Sequence, residues 1–203
     1  MDTSYLPTHA NLMKAKSTLK LSTKGHEILE KKKNILIKEM FKYVEQAEGI
    51  KKKADDLFRV AYSELQEANI SMGIENVQRI AENAVEDNGI SILVRTIMGV
   101  EIPTIRHEKQ DAAVNYSFHN TKIALDKAII QFVKIKELIL ELAQIENTIY
   151  RLANAIQKVQ KRSNALKNVV IPRIKAMVHG IQSAIEERER EDLARMKVIK
   201  GRR

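Results

Sequence analysis

The chain has 203 residues, of which 44% are apolar, 4% are aromatic and 30% are charged, with no Cys, no Trp, seven Gly and three Pro. The absence of cysteine excludes disulfides, thiolate metal sites and a cysteine nucleophile, and no apolar run predicts a membrane span or a signal peptide. Many helix-forming residues with so few turn residues favour a small number of very long helices with a well-solvated surface.

The first predicted element is a helical arm over residues 9–69. Pro7 and Thr8 precede it and predict its start and its N-cap. Apolar residues then recur at alternating spacings of four and three, which is typical of a coiled-coil seam about 90 Å long. Thirteen of the seventeen seam positions are apolar or aromatic. The positions are Leu12, Ala15, Leu19, Ser22, His26, Leu29, Lys33, Leu36, Met40, Tyr43, Ala47, Ile50, Ala54, Leu57, Ala61, Glu64 and Ala68.

Residues 70–115 are predicted to form a central region that begins with a short amphipathic helix. Its apolar residues are Ile74, Val77, Ile80, Ala81, Ala84 and Val85, and Asn88-Gly89 closes it.

A β-hairpin follows, because β-branched residues alternate with other residues on both sides of Met98-Gly99. Gly99 can adopt the positive φ of a tight turn, and Pro103 fits an edge strand. Since an isolated two-stranded hairpin is marginally stable in water, we expect it to pack against the arms or against another protein. The candidate residues of this hairpin are Ile92, Val94, Met98, Gly99, Val100, Ile102 and Pro103.

A second helical arm is predicted over residues 116–198. Eleven of its thirteen seam positions are apolar. Beyond Val170 the pattern shifts toward Ile174, Val178, Ile181 and Ile185, a step that would locally unwind a supercoil, and Pro172 at this step predicts a kink. The seam positions are Ile135, Leu138, Leu142, Ile145, Ile149, Leu152, Ile156, Val159, Ser163, Leu166, Val170, Arg173 and Met177.

These elements predict an elongated all-α protein: a long antiparallel two-helix coiled coil with the short helix and the small β-hairpin at the bend. With the bend near residue 93, residue n should lie roughly opposite residue 186 minus n. The alternative is that each arm joins a helical bundle within the chain or in an oligomer.

The net charge of +9 is unevenly distributed, since residues 3–26 and 147–185 contain Lys and Arg but no Asp or Glu. Antiparallel arms would bring these two zones to one end of the coiled coil, as a basic tip. Three interpretations are a solvated surface, a nucleic-acid site and a surface for an acidic protein socket. We favour the socket, because a solvated surface would normally intersperse charges of both signs, and because no aromatic residues interleave the basic rows as nucleic-acid binding would require. The candidate contact residues are Lys14, Lys16, Lys20, Lys24, Lys161, Arg162, Lys167, Arg173 and Lys175.

Catalytic motifs are absent from the sequence. No P-loop occurs, and the five His are scattered. His26 and Glu30 share a helix face, but as a seam residue His26 is better explained as tuning the register of the coiled coil. We therefore predict no catalytic residues, no cofactor, no metal and no intrinsic enzyme activity.

Three separated motifs resemble the D subunit of the V-type and A-type rotary ATPases. Pro7-Thr8 with Leu12, Leu19, Gly25, Leu29 and Lys31-Lys32 is similar to the family's opening, "IMGVEIP" to its central element, and "KRSNALKNVVIPRI" to its C-terminal segment. The chain departs from the family at His9, at Lys33-Asn34 and at Ser163.

The resemblance implies a non-catalytic central rotor stalk, cytoplasmic and peripheral to the membrane. It would couple ATP hydrolysis or synthesis to ion translocation. The implied partners are the A and B subunits of the catalytic ring, the F subunit and the linker subunit (C/d type) of the membrane ring, with no nucleic acid and no direct membrane insertion. The alternative is a coiled-coil scaffold or tether unrelated to rotation, which predicts parallel self-association.

Overall fold

The computed structural model describes residues 6–82, 89–107 and 121–201, and its long helices confirm the predicted all-α class with a small hairpin and a short helix. The elements in chain order are α1 His9–Met72, α2 Ile74–Glu82, β1 Ile90–Ile97, β2 Val100–His107, α3 Ile123–Ala165, a π-helical turn Leu166–Val170 and α4 Ile171–Gly201.

The chain divides into two compact units. The first unit combines residues 1–35 with residues 156–203, and the second unit comprises residues 36–155. Helices α1 and α3 each contribute residues to both units. The sequence predicted three regions from the order of the elements: 9–69, 70–115 and 116–198. As domain boundaries these regions stay a prediction.

The first predicted seam is confirmed by the burial of α1. None of its seventeen positions is exposed, and Ala15, Leu36, Ala54, Ala61 and Ala68 are buried. Alanine at most of these buried positions leaves little side chain between the helix and its neighbour, which permits close approach of the two backbones.

The start and the end of α1 have distinct local causes. Thr8 caps the start as predicted, since its Oγ1 accepts a hydrogen bond from the Asn11 backbone N–H at 3.2 Å. At the other end, Gly73 has a φ of +85° and donates its N–H to the Asn69 carbonyl at 3.0 Å. A glycine adopts this left-handed conformation at little cost, so Gly73 separates α1 from α2.

The second seam is confirmed with one shift. Arg173 is exposed, whereas Ile174 and Val178 are partly buried and Ile181 and Ile185 are buried, as the sequence pattern predicted. The shift is taken up by the π-helical turn, in which the Ile171 N–H donates to the Leu166 carbonyl five residues earlier. Pro172 follows in the next turn of helix. Because proline has no N–H to donate, the helix lacks one hydrogen bond at the point where its bonds return from five-residue to four-residue spacing.

Within the first unit the two helical segments run antiparallel, but the predicted register was wrong. Hydrogen bonds and ion pairs join Pro7 to Arg188, His9 to Glu189, and Ser163 to both His26 and Glu30, so the residue numbers of the partners add to between 189 and 198 instead of about 186. The predicted turn position was also wrong: Ile90 pairs with His107 and Ile97 with Val100, which centres the hairpin between Met98 and Gly99 and not near residue 93.

The hairpin has the predicted strands and turn. Both turn residues have positive φ, 51° at Met98 and 76° at Gly99, as a type I′ turn requires. Ile102, only 3% exposed, is buried on the face that it shares with Val100 and Thr104. The predicted helix residues Ala84, Val85 and Asn88, and residues 116–120 of the second arm, lie outside the described residues.

Candidate interaction surfaces

The nine predicted basic residues all lie in the first unit, and all nine are exposed. Four are on α1, and the other five run from the end of α3 through the π-helical turn to the start of α4. None of them forms an ion pair with any residue that the structure describes. Uncompensated charges concentrated in one unit produce a positive surface potential that attracts an acidic surface. We call these nine side chains the basic surface.

A polar cluster interrupts the apolar seam of the same unit. Ser163, which is fully buried, donates its hydroxyl proton to Glu30 Oε1 at 2.6 Å. Because that proton is used, Ser163 Oγ must accept from His26 Nδ1, which lies 2.9 Å away. Lys33 Nζ donates to the second oxygen of Glu30. His26 therefore has a partner on the opposite helix, as a residue that tunes register requires.

The charge of Glu30 is stabilised by this cluster. The hydrogen bond from Lys33, and then that from Ser163, hold the pKa of the Glu30 carboxyl below its ordinary value of 4.5. The ionised Glu30 carboxylate is thus bound directly by Lys33 and Ser163, and Ser163 links it to the His26 imidazole. Among the described residues, no group of three or more His, Cys, Asp or Glu side chains is placed to hold a metal ion.

The predicted hairpin residues are placed by α3, within the second unit. The Ile105 N–H donates to Gln144 Oε1 at 2.8 Å, and Arg151 Nη1 donates to the Glu101 carbonyl at 3.2 Å. Gln144 and Arg151 are seven residues apart, so they lie on one face of α3. These two hydrogen bonds hold the hairpin against α3, as expected for a two-stranded hairpin that is only marginally stable alone. Sequence reasoning missed both helix residues, since neither lies on the seam.

Apolar and aromatic side chains are exposed on the second unit. Phe41, Val60 and Tyr62 are exposed on α1, and Ile130 and Ile139 on α3. Tyr62 also contacts Phe132 edge to face, with ring centroids 5.8 Å apart. These side chains are distributed along both helices, and the contact of Tyr62 with Phe132 joins the two helices.

These observations define a coiled-coil protein with an exposed basic surface and exposed apolar side chains. No helix in the described ranges has the length and apolar content needed to cross a bilayer. The chain belongs to the ATP synthase D-subunit family, because a family profile of that description matches residues 11–201.

Full-length relatives agree with this assignment. The D subunit of the V-type ATP synthase from Thermotoga neapolitana is 38% identical over 197 residues, which cover 97% of each chain. The D subunit of the A-type ATP synthase from Methanosphaera stadtmanae is 39% identical over 197 residues, 96% of this chain and 92% of that one. The chain is therefore a subunit of a multi-subunit ATP synthase complex.

Proposed function

We propose that the chain is the non-catalytic central-stalk subunit, or rotor axle, of a V/A-type rotary ATPase. In this role it couples ATP hydrolysis or synthesis in a ring of A and B subunits to ion translocation through a membrane ring. Membership in the D-subunit family supports a place in the complex, and the axle role is our inference from the physical properties of the helices.

The observation that carries the proposal is the basic surface on a stiff helix pair. A rotor must transmit torque, and two helices that close an apolar seam resist bending better than one. It must also turn past several equivalent faces without being held at any of them. Exposed Lys and Arg side chains without fixed partners provide diffuse attraction to acidic surfaces, which a rigid pocket would not.

The second unit provides surfaces for the remaining proposed partners. Its exposed Phe41, Tyr62 and Ile139 offer apolar area to the F subunit and to the linker subunit (C/d type) of the membrane ring. Such contacts would hold the chain at the cytoplasmic side of the membrane as a peripheral subunit. The ATP sites then belong to the partner ring, and this chain contributes no catalytic residue and no cofactor site.

The test is to replace Lys14, Lys16, Lys20 and Lys24 together with Gln. All four side chains are exposed, so the helix should remain folded. We expect the reconstituted complex to hydrolyse ATP several-fold more slowly or to produce less torque in single-molecule rotation. Salt should reduce the difference from the wild-type complex, because ions screen exposed charges.

A matched control removes the same charge from the second unit. Lys38, Lys51, Lys52 and Lys53 are also exposed, and changing these four to Gln should leave turnover and rotation close to wild type. Normal rotation in the first variant, or equal losses in both, would show that the basic surface is only a solvated helix surface.

A further inference from the structure

The two edges of the hairpin differ in their surroundings. Ile97 and Val100 flank a two-residue turn and form a hydrogen-bonded pair, so hydrogen-bonded and non-hydrogen-bonded pairs alternate from there. On β2 the backbone groups of Glu101, Pro103 and Ile105 therefore point outward. The Glu101 carbonyl and the Ile105 N–H are the groups that Arg151 and Gln144 bind, so α3 covers this edge.

Pro103 fits the covered edge. It lies between Glu101 and Ile105, opposite Val94, at a position whose N–H would point toward α3. Proline has no N–H, so no backbone donor remains unsatisfied between the two hydrogen bonds to the helix. The outer edge of β2 therefore cannot pair with another strand, because Pro103 offers no donor and α3 binds the backbone groups on either side of Pro103.

The edge of β1 is open. Its outward-pointing backbone groups belong to Ile92, Val94 and Thr96, and none of them has a hydrogen-bond partner within the described part of the chain. Ile92 is 67% exposed and Val94 is 63% exposed. The strand contains no proline, no lysine and no bulge, and its one charged residue, Arg95, lies on the opposite face from Ile92 and Val94. It is an eight-residue, largely apolar strand ready for pairing.

We propose that the open edge of β1 binds an extended segment of another subunit of the complex, which adds as a third strand to the hairpin. The added strand makes backbone hydrogen bonds to Ile92, Val94 and Thr96. It carries apolar side chains at alternate positions, which cover the exposed row of Ile92 and Val94. This inference goes beyond the axle role and depends only on the chain being part of a multi-subunit complex.

The size of the edge argues for a different protein of the complex instead of a second copy of this chain. An eight-residue strand is about 27 Å long, and strand addition alone covers much less than the roughly 800 Å² per partner of a stable interface. Two copies joined only through β1 would dissociate. A protein that other contacts already hold in the complex does not need the strand to provide all of its affinity.

The experiment measures amide hydrogen exchange at single-residue resolution in the full chain alone and in the assembled complex. The amides of Ile92, Val94 and Thr96 should exchange at least tenfold more slowly in the complex. The amides of Leu93, Arg95 and Ile97 are already bonded within the hairpin and should change much less. Equal exchange of the outward amides in both samples would overturn the proposal.

Two substitutions separate backbone pairing from apolar packing. Val94→Pro removes one outward N–H and leaves the ladder of the hairpin intact, as Pro103 already does opposite. In the complex it should abolish the added protection of Ile92 and Thr96. Val94→Thr keeps the N–H and the branched shape, so it should retain that protection.

Loss of protection in Val94→Thr to the same extent would show apolar packing without strand addition and would overturn the proposal. The full chain alone should be monomeric by sedimentation. A dimer with protected outward amides in the absence of other subunits would identify a second copy as the occupant and would also overturn it.

Discussion

Ser163 joins the two helices of the first unit through a hydroxyl, where most seam residues join them through apolar contact. Its proton goes to Glu30, and its lone pair accepts from His26. Buried polar groups of this kind stabilise one register only, because any slip leaves a hydroxyl and an imidazole without partners.

The charge of Glu30 gives this cluster a pH dependence. Glu30→Gln should lower the free energy of unfolding at neutral pH, since it removes the ion pair with Lys33 and weakens the bond from Ser163. The folded pKa of Glu30 is depressed, so its contribution is fully present above the unfolded pKa and is lost as pH falls through the folded pKa. Urea unfolding of both proteins across this range should show the difference shrinking in acid.

Glu39→Gln is the control for this prediction. Glu39 forms a similar ion pair with Lys42 three residues later, at 2.8 Å, but among the described residues it has no hydrogen bond to another helix. Its loss should change stability little at any pH. A pH-independent effect of Glu30→Gln, or equal effects of the two substitutions, would contradict the role of Glu30 in the cluster.

Some of these residue contacts could be predicted from the sequence. His26, Lys33 and Ser163 stand out as polar residues on apolar seams. Their connection could not be predicted, because Glu30 lies off the seam and the pairing of residue 30 with residue 163 depends on the register between the helices. An error of a few residues in that register assigns every polar seam residue to the wrong partner.

At the scale of the element, the turn of the hairpin contains one residue, Met98, whose type does not favour its backbone conformation. Met98 is a residue with a Cβ in the left-handed region, which favours Gly or Asn. Met98→Asn should therefore stabilise the hairpin by about 0.5–1 kcal/mol. Slower amide exchange at Leu93 and Arg95 in the full chain would measure this gain.

Met98→Ala separates conformation from side-chain exposure. Alanine keeps the Cβ that makes positive φ unfavourable, but it removes the exposed methionine side chain. We expect no gain in stability from this variant. If Ala stabilised the hairpin as much as Asn does, the cost at residue 98 would come from the exposed side chain and not from φ.

The strands and the seams were predictable because period and composition mark them directly. The docking of the hairpin was not, since Gln144 and Arg151 bind backbone atoms of β2 and nothing in the sequence identifies a side chain that bonds to a distant main chain. For the π-helical turn, the sequence shows that the seam shifts near Pro172. It does not show how the helix accommodates the shift.

For the whole molecule, the two chain termini allow a test of coupling. Ile185 is the last buried residue of the cluster with Ala15 and Ile181, and every described residue from Glu186 onward is exposed. Removal of residues 1–10 and 186–203 should therefore leave the helices folded. We expect ATP hydrolysis in the complex to be weakened or uncoupled from rotation.

Thr8→Ala is the control for this truncation, because the deletion also removes the N-cap of α1. Loss of that cap costs about 1 kcal/mol, and the single substitution should leave coupling intact. Circular dichroism of the free chain would verify folding in both variants. Unchanged coupling in the truncated complex would show that the terminal segments do not transmit torque.

The π-helical turn also bears on how the chain tolerates changes in length. Without it, the four-three spacing of the second seam would continue from Val170 to Arg173, Met177, Gly180 and Ala184. The structure instead buries Ile181 and Ile185, each one residue later. The π-helical turn contains one residue more than an α-helical path would need, and this residue keeps the apolar side of the C-terminal helix facing α1. A chain lacking that residue could run as uninterrupted α-helix with the same side chains in the seam.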